Sequence, residues 1–441
     1  MSLPNHEFLD FFRSTSPYIH AHRGKTLVVC LSGEAIEDGG TTLIQDLALL
    51  RSLGLRLVVV FGARPQISRA LEAAGLPDDF SDNLRVTTAD TLNHVIGAAQ
   101  QMLVHLQADF SRGLINSPMY GAAVRTVTGN YVYAKPRGIL NGVDLQFTGT
   151  VRRVAGEDIR HQLDAGNVVL VPPYGFSLTG ELFNLNALEI ARDCAKAVRA
   201  DKLVILGHMA PSLPDPIDIS QLTPQQLNER LASVQPDSPG YLEAQTALLA
   251  CQQGTPRVHL LPATEQGGLL RELYTRDGCG IMVTRDEYDT FRPARSDDIG
   301  GILALLKPLE DEGILVRRSR ELLEQEVDHF VVNERDGMII GCAALHPFPT
   351  EQEHQAELAC VAVHADYQVN GRGTQLLKHI EQKALQAGVK QLFSLTTHTT
   401  HWFLEHGFRV GKVSDLPDQR QALYNYQRNS KVLIKTLAAT K

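Results

Sequence analysis

Gln368-Val369-Asn370-Gly371-Arg372-Gly373-Thr374 stands between an apolar stretch, Glu357 to His364, and an amphipathic one, Thr374 to Ala387. Two glycines at such a junction let the backbone turn tightly and approach a ligand closely. The unpaired N–H groups and the dipole of a helix starting there favour a phosphate or pyrophosphate. A dinucleotide-binding turn needs three glycines at other spacings and an acidic residue about 20 positions on. This loop has two glycines, and it reads as an anion cradle between a strand and a helix.

Outward from the loop the pattern stays α/β. Upstream, Phe291 to Asp298 leads from a short strand into a helical segment, Ile299 to Lys307, followed by a helix near Arg320 to Gln325 and strands at Phe330 to Glu334 and Met338 to Leu345. Downstream lie a strand, Gln391 to Thr396, and a helix, His401 to His406. The first half begins with an amphipathic helix carrying Phe8, Leu9, Phe11 and Phe12 and closed by Pro17. Lys25–Leu31 and Leu55–Phe61 are buried-strand runs flanking a helix from Thr42 to Leu53, which implies a parallel sheet. The expected organisation is an N-terminal helix (1–20), a large α/β domain with a mainly parallel sheet (21–286), a linker (287–292) and a smaller α/β domain (293–441). Residues 211–241, rich in Pro, Gln, Ser and Asp, read as an excursion near the sheet edge.

The 441 residues carry 43% hydrophobic and 21% charged side chains and a formal net charge of -8, ordinary values for a soluble protein with two cores. No Lys/Arg run suggests nucleic acid, and no apolar run of 18 residues or signal-peptide core suggests a membrane. Six scattered cysteines without a Cys-x-x-Cys spacing fit a reducing cytoplasm.

Gln368, Gly371 and Gly373, placed after this strand and before this helix, resemble the Gln/Arg-x-x-Gly-x-Gly/Ala loop of the GNAT acetyltransferase superfamily. Trp402-Phe403-Leu404-Glu405-His406-Gly407-Phe408 is similar to the aromatic-Gly-Phe ending of its domains. The resemblance implies acetyl-coenzyme A as co-substrate and no metal. Its pyrophosphate would lie on the amides from Gln368 through Gly371, Arg372 and Gly373 to Thr374, and its pantetheine beside Val361 and Val363. Direct acetyl transfer to an amine needs a base and a donor near the departing thiolate. Glu357, opening the cofactor strand, is the expected base, and Thr396, ending the next strand, the expected acid.

The first domain resembles the amino-acid kinase fold, through Val28 to Gly33, Gly62-Ala63-Arg64-Pro65 and Phe183 to Ala187. Where those kinases hold a lysine that stabilises the transferring phosphoryl group, this chain has Cys30, so no kinase activity is expected. The two halves together resemble the bacterial N-acetylglutamate synthase family. That implies L-glutamate as acceptor, bound by Arg318, Arg428 and Ser430, in the first step of arginine biosynthesis. It also implies feedback inhibition by L-arginine at Tyr18, Glu272, Gly278 and Gly280, and a hexamer. Two alternatives remain at this point: an arginine sensor with a non-catalytic coenzyme A domain, and a GNAT enzyme acting on another amine.

Overall fold

A computed structural model describes residues 5–112, 124–207, 221–263, 265–285, 289–335, 337–349 and 354–437. The chain divides into two compact units, Met1–Asp286 and Glu287–Lys441.

The first unit begins with helix α1 (Asn5–His22), strand β1 (Thr26–Leu31), helix α2 (Gly33–Ser52) and strand β2 (Arg56–Phe61). Its main sheet continues with β3 (Thr126–Val127), β4 (Val168–Val171), β5 (Lys202–Gly207), β6 (Gln221–Leu222), β7 (Arg257–Pro262) and β8 (Ile281–Thr284). The order across it is β6-β8-β7-β5-β1-β2-β4-β3, and among the described pairs β7–β8 alone is antiparallel. The central strands are buried on both faces, as a parallel sheet between helices requires. Leu27, Val29 and Leu31 meet one layer with Leu47 and Phe110, whereas Val28 and Cys30 meet the other with Ile190 and Cys194. A four-stranded sheet of Val132–Pro136, Gly149–Val154, Tyr174–Phe176 and Leu182–Asn184 lies in the same unit.

Two expectations shift here. Helix α1 runs on to His22 with Pro17 inside it, because Tyr18 and Ile19 pack on the apolar layer beneath and reward continuation. Helix α2 starts at Gly33, capped by Ser32 and kinked at Gly40, rather than at Thr42. Of the polar excursion, 211–220 lie outside the described residues, and Gln221–Leu222 forms the sheet edge.

The second unit has one sheet: β9 (Asp289–Pro293), β10 (Phe330–Arg335), β11 (Met338–Pro349), β12 (His354–Val363), β13 (Gln391–Thr396), β14 (Arg409–Val410) and β15 (Lys431–Thr436). Their order is β9-β10-β11-β12-β13-β15-β14. The expected linker is partly strand: Asp289 to Arg292 pair antiparallel with Val332 to Arg335, and Phe291 stacks on His379 at 4.6 Å.

Strands β12 and β13 run parallel but pair over three residues only, Gln355 to Glu357 against Gln391 to Phe393. Beyond Glu357 no described strand pairs with that edge of β12. The strand is also bulged, since Cys342 and Ala344 of β11 face Ala362 and Ala359, leaving two residues opposite Ala343. Cys360, at the bulge, has φ 53. An extra residue in one strand bends it and moves its later side chains to the other face. Leu358 and then Val361 pack on the side of helix α6 (Arg372–Gln386), whereas Cys360 and Ala362 pack on the side of helix α4 (Ile299–Asp311).

Candidate active site

The cradle at the start of α6 is built as its sequence demands. Gly371 caps the helix with φ 65, in the left-handed region where a side chain costs energy. A Cβ on Gly373 would lie 3.3 Å from the Trp402 ring. Arg372, buried at the first helical position, lies over the Tyr367 ring at 4.9 Å. Gln368 donates from Nε2 to the Val363 carbonyl at 3.2 Å and ties the loop to the open end of β12. The Thr374 hydroxyl lies 2.7 Å from His406 Nε2, and His406 Nδ1 lies 2.7 Å from the Trp402 carbonyl. A carbonyl only accepts, so His406 Nδ1 carries a proton. Val361 and Val363 are both half-buried on the unpaired stretch of β12. Helix-start amides and an unpaired strand edge are thus contiguous in the chain, a layout suited to a long ligand with a pyrophosphate at one end.

Glu357 sits three residues inside β12, which begins at His354, not at the strand's opening. Its carboxylate receives two bonds from Arg420, Nε to Oε2 at 2.7 Å and Nη2 to Oε1 at 3.1 Å. Arg420 belongs to the short helix Asp418–Ala422 and was not singled out from sequence. Arg318 precedes helix α5 (Arg320–Glu326); it donates to Glu326 at 2.6 Å, and its backbone N–H donates to Glu310. Burial pushes the Cys360 thiol up to about 11, and the charges of Arg318, Glu326, Glu357 and Glu310 also act on it. Glu357 stands three residues before Cys360 on the same strand. Arg428 donates to the carbonyls of Gly313 and Ile314, in the same loop as Arg318. Ser430 accepts at its carbonyl from the Tyr424 hydroxyl at 2.6 Å.

Thr396 is not brought beside Glu357. Phe393 is the register partner of Glu357, so Thr396, three positions on, projects from the opposite face. Its Oγ accepts the N–H groups of His398 at 3.3 Å and Thr399 at 3.1 Å, closing the turn that follows β13, and lies 2.9 Å from the Thr399 hydroxyl. With both lone pairs filled, Thr396 donates its proton to Thr399, whose own proton is left free to donate elsewhere.

The first unit gathers three of its four singled-out residues around one carboxylate. Glu272, on helix α3 (Gly268–Tyr274), accepts from His259 Nδ1 at 2.5 Å and from the amides of Cys279 and Gly280 at 2.8 and 3.0 Å. Burial acts against its charge, but His259 and the two amides outweigh it and hold the carboxyl below the usual range. His259 is itself held low by burial, so it is the neutral donor of the pair. A Cβ on Gly278 would lie 2.3 Å from Glu272, and one on Gly280 would lie 2.5 Å from the Leu260 carbonyl, so both positions need glycine. Tyr18 lies on α1, which packs against α3. His22, at the end of α1, is buried with Nε2 3.1 Å from Lys202 Nζ. His259 Nε2 and the Tyr274 hydroxyl, both buried, meet no partner among the described residues.

A separate cavity of about 270 Å³ in this unit is lined by Cys30, Gly33, Gly62, Arg64, Asn184 and Asn186 among others. Cys30 is buried, and desolvation drives its thiol far above the ordinary range, so it brings no charge to the cavity. Among the described residues, no group of three or more His, Cys, Asp or Glu could hold a metal ion, and no helix is long and apolar enough to cross a membrane.

A bulged sheet with a glycine cradle at a helix start, in a chain whose first unit is built on a mainly parallel α/β sheet, defines a GNAT acyltransferase joined to an amino-acid-kinase-like domain. Residues 25–234 match the amino acid kinase family and residues 300–408 the acetyltransferase (GNAT) family. An amino-acid acetyltransferase of Azotobacter vinelandii is 46% identical over 98% of this chain and 100% of its own length, and one of Edwardsiella ictaluri 45% over 98% and 99%. The crystal structure of N-acetylglutamate synthase from Neisseria gonorrhoeae complexed with coenzyme A and L-arginine is 35% identical, with TM-score 0.83, covering 98% of this chain and all of that one. The same protein complexed with coenzyme A and N-acetyl-glutamate is 36% identical, with TM-score 0.60. The chain belongs to the amino-acid acetyltransferase family.

Proposed function

We propose that the protein is an N-acetylglutamate synthase, transferring acetyl from acetyl-coenzyme A to the amine of L-glutamate as the first step of arginine biosynthesis in the cytoplasm. The observation that carries this is the unpaired stretch of β12 running from Glu357 to the glycine cradle, with the Glu357 carboxylate held by Arg420. Gln368, Gly371, Arg372, Gly373 and Thr374 receive the pyrophosphate, and the edge at Val361 and Val363 the pantetheine. Glu357 takes the ammonium proton. Arg318, Arg428 and Ser430, joined by Arg420, receive the substrate's carboxylates, since guanidinium and carboxylate match in shape and charge. Thr396 acts on the departing thiolate through Thr399, to which it passes its own hydrogen bond.

We infer that L-arginine is the effector of the first unit. The neutral His259 offers an acceptor at Nε2, and the Tyr274 hydroxyl lies beside the same layer, both suited to a donor-rich guanidinium. Glu272, already holding three donors, must exchange one of them to meet the effector. The kinase-like unit is regulatory and does not transfer phosphate. The exposed Phe11 and Phe12 of α1 make that helix the contact between subunits of a hexamer.

Coenzyme A release from acetyl-coenzyme A and glutamate without ATP, with and without arginine, tests the reading. Turnover suppressed by arginine supports both sites. Turnover indifferent to arginine removes the effector, and acetylation of another amine but not glutamate overturns the substrate.

A further inference from the structure

His346 of β11 is the direct register partner of Glu357 across the antiparallel β11–β12 pair. Opposite residues leave a sheet on the same face, with Cβ atoms about 5 Å apart. His346 Nε2 is closed off from solvent and meets no hydrogen-bond partner among the described residues, a rare condition that calls for an explanation. Burial above all, then Arg318 and His329, holds the ring below its ordinary value, so it is neutral; Glu326 and Glu357 work the other way. The groups facing it are His329, with ring centroids 4.9 Å apart, Glu326 of α5, Arg318 before α5, and Glu357, behind which stands Arg420.

The carboxylate of Glu357 is already engaged by a guanidinium. Both of its oxygens are bonded to Arg420, and protonation would set a neutral acid against a guanidinium and weaken a bidentate pair. We propose that His346 is the resting place of the proton taken from the substrate ammonium, a positioning residue that works through Glu357. This rests on the reading of Glu357 as the base. The ammonium N–H bond breaks and leaves its electron pair on nitrogen for attack on the thioester carbon. Glu357 gains the proton as O–H, and that bond breaks as a new N–H bond forms on the imidazole, directly or through one water. Glu357 returns to its carboxylate facing Arg420, and after the thiolate has left the imidazolium gives up a proton from Nδ1, since Nε2 is closed off and the residue as a whole is only half-buried.

The test is the pH profile of kcat/KM for glutamate in wild type, H346Q and H346N, with coenzyme A affinity measured alongside. The expected result is a fall on the order of 10²-fold in kcat/KM for both variants, the size of a lost proton-transfer partner. Coenzyme A affinity holds within about twofold, and the acid limb of the profile moves or flattens. An unchanged profile in H346Q and H346N, in an enzyme that E357Q inactivates, overturns the role of His346 and leaves the base reading intact. Loss of coenzyme A binding in both variants assigns His346 to structure and also overturns it. Full turnover in E357Q removes the base itself, and this inference with it.

Discussion

Each unit carries a glycine turn between a buried strand and a helix, and the two turns have met different fates. In the second unit, Gly371 holds a left-handed cap and Gly373 lies so near Trp402 that a side chain has no easy room, and the turn displays backbone amides. In the first, Gly62 leads to Ala63 and Arg64, and a Cβ at Gly62 would meet its nearest neighbours at 3.6 to 3.7 Å, an ordinary contact. Beside that turn stands Cys30, uncharged and buried. Amide display survives wherever the backbone geometry does, whereas phosphoryl transfer needs a fixed cation as well. One turn is under tight geometric constraint, and the other lines a cavity beside an uncharged thiol.

The sharpest way to break this contrast is at the carboxylates on which each unit is centred. E357Q keeps the shape of the side chain and removes the base, so kcat should fall by about 10²- to 10⁴-fold with coenzyme A affinity nearly unchanged. A variant that keeps its turnover would move the chemistry elsewhere. E272Q in the first unit should do the reverse. Uninhibited turnover stays within about twofold, while the arginine concentration for half inhibition rises on the order of tenfold or more, the scale of a typical allosteric coupling. Turnover lost in E272Q would mean that the carboxylate serves the fold of the whole chain. At the turns themselves, Gly373→Val should weaken coenzyme A binding by about tenfold or more, an effect of ~1.4 kcal/mol, because the added side chain presses on Trp402. Gly62→Ala should leave turnover within about twofold. Equal losses from both substitutions, measured as coenzyme A Kd and kcat side by side, would erase the distinction between the turns.

What was legible in the chain was local. The cradle needs only two glycines at a fixed spacing before an amphipathic helix, and Glu272, Gly278 and Gly280 lie within nine positions of one another. What was illegible was tertiary. Arg420 reaches Glu357 across 63 positions, and nothing in its neighbourhood marks it among the chain's other arginines. The Cys360 bulge rests on a residue with no preference for φ 53, so it is imposed by pairing with β11 and leaves no compositional trace. Without the register of β12 on β13, the alternation of faces could not be counted, and Thr396 was expected beside Glu357 when it lies on the other face. His259 is hidden in the same way, inside the apolar run Val258-His259-Leu260-Leu261. Pro17 read as a stop because a helix interior loses a hydrogen bond there, yet packing of Tyr18 and Ile19 carries the helix past it.

A last expected effect separates the units by acid. His22 is held down to about 3, by burial first and by the Lys202 charge next. An unfolded histidine binds its proton near its ordinary value of about 6.5. Between those limits the unfolded chain holds a proton that the folded chain refuses, so stability falls as pH falls, by at most about 1.4 kcal/mol per pH unit. Glu272, held below the usual carboxylate range, adds a loss of the same sign at lower pH, as its own proton binds. From pH 7 to pH 5 the His22 contribution is about 2 kcal/mol. His22→Gln keeps an acceptor for Lys202 and removes the titrating proton, and it should flatten that part of the curve. Trp402, the chain's one tryptophan, lies in the second unit, so its fluorescence follows that unit while circular dichroism follows both. In urea titrations at the two pH values, the substitution should narrow the acid shift of the transition seen by circular dichroism and leave the tryptophan transition where it was. A tryptophan transition that moves with His22→Gln would mean that the two units unfold as one.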